Sequence, residues 1–109
     1  MTSASGGNDQ PQFEIALAGA DEIRLAGRLD AVHSEEARAF FARIDPPRLI
    51  DLARLEFIAS AGLGVLLVVQ KRAMQAGATI TLANVNANIR NVFRHAGFES
   101  LFRIVDASA

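Results

Sequence analysis

From residue 30 onward the hydrophobic pattern switches repeatedly between two periods. Ala37, Phe40, Phe41 and Ile44 fall at helical spacing, after which RLIDL at 48–52 and FIAS at 57–60 form short apolar runs. Leu63, Leu66, Leu67, Gln70, Ala73 and Met74 return to helical spacing, ATITLAN at 78–84 reads as a strand, and Ile89, Val92, Phe93 and Ala96 mark another helix. LFRIV at 101–105 supplies a last short strand. Strands that alternate with helices are joined by crossovers, and crossovers join parallel neighbours. The chain is thereby confined to an α/β sheet that runs largely parallel, with its functional loops at the carboxyl ends of the strands.

The beginning differs. FEIALA at 13–18 alternates Phe13, Ile15 and Leu17 with Glu14, Ala16 and Ala18, and EIRLAG at 22–27 repeats the alternation with Ile23 and Leu25. The short gap between them predicts an antiparallel hairpin. The expected architecture is one α/β domain over 13–109, with a mixed sheet of four to five strands, and a disordered tail over 1–12. Ser34 is expected to cap the first helix, ahead of Glu35 and Glu36, and Asp45-Pro46-Pro47 to end it. Gly77 and Gly97 stand where the next two helices should stop, with Phe98 folding back on the second. Val65, Val68 and Val69 widen the apolar surface of the middle helix beyond one stripe, as either packing surface or docking surface.

Composition narrows the function. The 109 residues suit a single domain, and half of them are hydrophobic, so a real core is expected. Eleven basic and twelve acidic residues leave a net charge of −1, which gives no field to gather nucleic acid or anionic membrane. There is no cysteine, and His33 and His95 are far apart, so neither a metal nor a cofactor is expected. The opening residues lack a basic start and an apolar core of signal-peptide length. The run LGVLLVV is far shorter than the roughly 20 residues of a membrane span. A cytoplasmic protein without direct nucleic-acid or membrane partners is the expectation. Asp51, within an apolar strand, needs a partner such as a backbone amide or Arg54. His95 should serve only the dipole of its helix.

Ser60 is the informative residue, a hydroxyl between an apolar run and a helix that opens with Gly62 and Gly64. One reading makes it the cap of a helix beginning at Ala61, a contribution of about 1 kcal/mol. A second makes it a nucleophile, but Ile58-Ala59-Ser60-Ala61-Gly62 lacks the first glycine of G-x-S-x-G, and neither histidine is tied to it by the sequence. A third makes it a surface hydroxyl that a partner reads or phosphorylates. Phosphate would add about 1.5 to 2 negative charges where a helix dipole tolerates them.

Three stretches in order resemble the STAS domain family, and within it the bacterial anti-sigma factor antagonists. GRLD at 27–30 resembles the family's G-x-L-D. DLARLEFIASAGLGVL at 51–66 resembles its D-L-x-x-V-x-F-[MI]-D-S-[ST]-G-L-G-V-L, and FRHAGFESLFRI at 93–104 its closing helix and strand. The resemblance implies a non-catalytic regulator. Its partner is an anti-sigma factor of the histidine-kinase-like ATPase type, which phosphorylates the serine matched by Ser60, and a separate serine phosphatase resets it. It also implies a partner-binding surface of Asp30, Ala59, Ser60, Ala61, Gly62, Leu63 and Gly64. Taken alone, Asp30 reads equally well as a helix cap. The chain departs from the family pattern at Ala59, where aspartate is common, and at Ala61, where serine or threonine is usual. The alternative that Ala59 keeps open is a non-catalytic STAS subunit docked to the ATPase of a transport or lipid-trafficking complex.

Overall fold

The computed structural model describes residues 12–107. Its elements are β1 (Phe13–Gly19), β2 (Glu22–Leu29), α1 (Ala31–Ala42), β3 (Leu49–Ile58), α2 (Ser60–Gln75), β4 (Thr81–Val85), α3 (Ala87–His95), a 3₁₀ turn (Phe98–Ser100) and β5 (Arg103–Asp106). The five strands lie in chain order; β1 and β2 are antiparallel and every later pair is parallel. The hairpin and the parallel sheet are both as the periodicity predicts. The expected tail over 1–12 lies outside the described residues except for Gln12, whose carbonyl accepts the Arg28 N–H at 2.8 Å.

In-order parallel strands joined by right-handed crossovers carry all their helices on one face. Burial follows that rule. Ile23, Leu25 and Leu29 of β2, Ile50, Leu52, Leu55 and Ile58 of β3, and Leu82 and Val85 of β4 are buried, whereas Arg24, Arg28 and Arg54 on the strands stay exposed. The spacing widens from two to three at Leu52 and Leu55, where the pairing of β2 with β3 slips by a residue. Asp51 is on the uncovered face. Its Oδ1 accepts the Ala53 N–H at 3.0 Å and Asn84 Nδ2 at 2.9 Å, and its Oδ2 is 3.8 Å from Arg24. Arg24 and Asn84, on the flanking strands, serve the carboxylate instead of the expected Arg54. Leu17 pairs with Ile23 yet is mostly exposed, because it lies at the hairpin end of the edge strand.

The helix boundaries correct several local expectations. Asp30, not Ser34, caps α1, accepting the His33 N–H at 3.0 Å, while Ser34 is buried in the first turn and donates to the Asp30 carbonyl at 2.6 Å. The cap therefore comes one turn earlier than the acidic pair suggests. At the other end, Arg72 of α2 donates to the carbonyls of Phe41 and Ile44 at 2.9 and 2.8 Å, a cation on the negative end of α1. The two apolar runs belong to one continuous strand, β3, which ends at Ile58, so that Ala59 and Ser60 already belong to the start of α2. The buried side of α2 is Gly62, Val65, Leu66, Val69, Gln70 and Ala73, rotated from the expected stripe, so Leu67 and Met74 face outward. From Ala61 to Val69 α2 holds only apolar residues and glycine, so periodicity could not orient it; α1, packed alongside, selects Val65 and Val69. Val68 remains half exposed. In α3, Ile89 and Phe93 are buried and Ala96 is exposed. Gly97, at φ 78°, then turns the chain so that Phe98 stacks between Phe93 and Phe102 at 5.1 and 5.0 Å.

Gln70 is a buried polar residue that joins three segments. Its Oε1 accepts the Ile80 N–H at 3.0 Å, and its Nε2 donates to the Leu101 carbonyl. Replacing it by a similarly sized apolar side chain strands both backbone groups, each at a cost of about 1–3 kcal/mol. Gln70→Leu is accordingly expected to lower stability by at least about 1 kcal/mol in urea unfolding, although it makes the core more hydrophobic.

Candidate functional site

β2 and β3 end side by side. Leu29 lies opposite Ile58, and the Leu29 carbonyl accepts the Ala59 N–H at 3.0 Å. The chain leaves the two strands at Asp30 and Ala59 and enters a helix at once from each. The first turns of α1 and α2 thus share one edge of the sheet, at the carboxyl ends of parallel strands. This closeness depends on Gly62. A Cβ there would lie 2.7 Å from both the Leu29 Cγ and the Leu29 carbonyl oxygen, and 3.0 Å from Ile58 Cγ1. Gly62 is buried against the end of β2, whereas a Cβ at Gly64 would meet open space.

Ser60 is the first residue of α2, not its cap. The capping position belongs to Ala59, which has extended backbone and no side chain to offer, and Gly62 N–H is left without the kind of partner that Asp30 and Asn86 give the other helices. The Ser60 side chain is exposed, and its hydroxyl makes no hydrogen bond among the described residues. The capping account of Ser60 is therefore corrected. Among the described residues His33 makes no hydrogen bond to it either; the His33 ring stacks on Phe13 of β1, at 5.5 Å between centroids, and its Nδ1 lies 2.8 Å from Asp30.

Asp30 is the electrostatic centre of the neighbouring turn. Its Oδ1 accepts the His33 N–H and lies 2.8 Å from His33 Nδ1; its Oδ2 is 4.0 Å from Arg28 Nε. The backbone hydrogen bond from His33, with help from the His33 ring and Arg28, holds the Asp30 carboxyl below the ordinary aspartate range. Of the residues grouped by sequence, Ser60 and Ala61 are exposed, Asp30, Ala59, Leu63 and Gly64 are partly so, and only Gly62 is buried. Leu63 faces α3, where it borders a groove with Asn88, Asn91, Val92 and His95.

Sequence reasoning did not single out Arg28 or Phe57. They are register partners on the uncovered sheet face, with the Arg28 guanidinium carbon 4.3 Å from the centre of the Phe57 ring. The alternation that buries Leu29 and Ile58 would have placed both on the opposite face. Among the described residues no helix is long and apolar enough to cross a membrane.

A hairpin-led sheet whose remaining strands run parallel in chain order is the architecture of STAS domains. The fold matches the SpoIIAA cell fate determinant of Bacillus in its phosphorylated form, with a TM-score of 0.64, 22% identity, and coverage of 88% of this chain and 91% of that one. It also matches a sulfate transporter family protein from Wolinella succinogenes, with a TM-score of 0.68, 18% identity, and coverage of 85% and 81%. Residues 14–106 match the family profile described as Mlab, STAS domain, and this chain belongs to the STAS domain family. It is 32% identical over 87 residues to a putative anti-sigma factor antagonist, BtrV, of Bordetella bronchiseptica, covering 76% of this chain and 75% of the relative.

Two outcomes test this local physics. Ala59→Asp supplies the absent cap and should raise stability by about 1 kcal/mol in chemical denaturation. Because the Asp30 carboxyl titrates lower in the folded protein, its charged form contributes stability above the ordinary aspartate pKa of about 3.9, and that contribution disappears as pH falls through the folded value. Asparagine can still cap, so Asp30→Asn should flatten this part of the acid limb in a series of melting temperatures against pH.

Proposed function

We propose that the chain is an anti-sigma factor antagonist that docks on a kinase-type anti-sigma factor, releases the sigma factor, and is switched off by phosphorylation of Ser60. The observation that carries the reading is the Ser60 hydroxyl itself, exposed and without a hydrogen bond among the described residues, at the start of α2. In the transfer, Ser60 Oγ attacks the γ-phosphorus of ATP held by the kinase, the bond to ADP breaks, and the hydroxyl proton passes to the kinase or to water. The chain is the substrate of that step and not its catalyst, and a serine phosphatase reverses it in the cytoplasm. The acting unit is residues 13–109.

The switch works through the interface. A phosphate at the positive end of α2 is tolerated by the domain, since backbone amides there are free to receive an anion. The docked partner has no such compensation. Added bulk and charge need remove only about 2.8 kcal/mol to weaken binding a hundredfold. Asp30 and the span Ala59 to Gly64 form the proposed docking surface, in which Gly62 acts from beneath by holding α2 close to β2. The chain's likeness to BtrV, and to a SpoIIAA solved in its phosphorylated form, supports the reading.

A second reading has a specific feature in its favour. Ala59 leaves the serine without an adjacent carboxylate, and the same domain fold occurs in a sulfate transporter family protein. In that case the surface docks permanently to the ATPase of a transport or lipid-trafficking complex. Incubation with purified host anti-sigma kinase and ATP separates the two. The first reading expects one added phosphate by intact mass, none in Ser60→Ala, and binding about a hundredfold weaker after modification. Full binding with an unmodified serine would leave docking without the switch. No binding to any such kinase would favour the second reading.

A further inference from the structure

β3 takes more residues than β2 to cover the same length of sheet. From the pair Glu22 and Leu49 to the pair Leu29 and Ile58, β2 advances seven residues and β3 nine. The extra residues enter where the register slips, once between Asp51 and Arg54 and once between Leu55 and Phe57. Each slip is a bulge, which leaves a residue without a partner across the ladder. The bulges reconcile the sequence with the core, because strict alternation from Leu52 would turn Arg54 and Glu56 inward and Leu55 outward.

A polar side chain stands at each slip. At the second, Asn86 donates to the Leu55 carbonyl at 3.1 Å. At the first, Asp51 Oδ1 accepts at 3.0 Å the N–H of Ala53, which has no register partner on β2 or β4. The same oxygen accepts Asn84 Nδ2 at 2.9 Å. Asn84 is alone among the described non-glycine residues in having a positive φ, at 59°, and it lies where β4 gains a residue on β5. The pairing of β3 with β4 ends at Asp51 and Ala83. One carboxylate oxygen therefore holds the irregularities of two neighbouring strands at the point where they part. Arg24, 3.8 Å from the other oxygen and half exposed, adds only a screened surface ion pair.

The first bulge decides what happens at the far end of β3. Without it Leu29 would lie level with Phe57, and the chain beyond would move outward by about 3.3 Å, the rise of one strand residue. Gly62 would leave its seat against Leu29, and Ser60 its place at the sheet edge. We propose that Asp51 is a positioning residue for Ser60: by accepting the Ala53 N–H, its Oδ1 fixes the bulge that sets where α2 begins, and its negative charge is dispensable. The inference rests on the reading of Ser60 as the phosphorylated residue and deepens it by naming what places that hydroxyl.

Two measurements on the intact chain test it. Amide hydrogen exchange reads the edge without any partner. In Asp51→Ala the Ala59 N–H, bonded to the Leu29 carbonyl, should lose about tenfold more protection than the Ile80 N–H, which Gln70 holds elsewhere in the fold. Phosphorylation by purified host anti-sigma kinase should fall about tenfold or more in kcat/KM. Asp51→Asn keeps the accepting oxygen and loses the charge, and Arg24→Gln loses only the ion pair; both should match the parent in both measurements. If Asp51→Ala does not fold, Asp51→Ser takes its place, since a hydroxyl accepts an N–H two residues on more weakly, and should show the same selective loss at Ala59 in smaller measure. A merely stabilising Asp51 would lower the protection of Ala59 and Ile80 alike and leave kcat/KM at the parental value well below the melting temperature. That result overturns the proposal, as does an Asp51→Asn chain as impaired as Asp51→Ala. A parent chain that no such kinase phosphorylates overturns the Ser60 reading instead, and the exchange of Ala59 still decides what Asp51 does.

Discussion

The molecule depends on how closely the start of α2 approaches the end of β2. At Gly62 there is no space for a single methyl group between the helix and Leu29. A larger residue would have to push the helix outward, and with it the serine two positions earlier. Because Leu29 and Ile58 are register partners, the same contact fixes the end of β3 and therefore the Ala59 turn. A helix lifted from this seat would also shift Arg72, whose guanidinium closes the carboxyl end of α1. One glycine thus ties two strand ends and two helices into a single edge, and a hydroxyl on that edge has a defined place without a hydrogen bond of its own among the described residues.

What the sequence made legible follows the same division. The alternation of periods was enough to specify the hairpin, the parallel sheet and its crossovers, since those depend on which residues must be buried. Three motifs in order were enough to indicate the family. Orientation within an element was harder to read. In α2 the apolar residues run almost all round, and only the neighbouring α1 decides that Val65 and Val69 turn inward while Leu67 turns out. Capping also needed coordinates: Asp30 and Ser34 are both good caps by type, and the chain direction at the end of β2 selects the former. Asp51 shows the remaining kind of error. The backbone amide it was expected to need comes from Ala53, two residues on, but the side chains that serve it, Arg24 and Asn84, come from adjacent strands and could not be found by searching nearby in sequence.

The three helices that rise from the sheet's carboxyl edge are not equivalent. Asp30 and Asn86 each accept an amide in the first turn of their helix, and Asn86 also donates to the Leu55 carbonyl at 3.1 Å. Those two starts are closed. α2 has only the methyl group of Ala59 in the corresponding place, so its first-turn amides and dipole are left to solvent or to an incoming group. The cost of an absent cap is about 1 kcal/mol, small beside the packing of a helix seated on the core. Such a position can remain open without endangering the fold.

That asymmetry bears on how a charge placed at Ser60 would be felt. In a domain whose α2 carried an aspartate cap, a phosphate would meet a like charge beside it and compete for the same amides. Here the amides have no side-chain cap, and Asp30, in the neighbouring turn, is engaged by His33 and neighboured by Arg28. The domain's own response to modification should then be mild or slightly favourable, and nearly all of the penalty would fall on whatever is docked against the edge. A switch built this way separates two requirements that usually conflict: the folded state need not change for the partner's affinity to change.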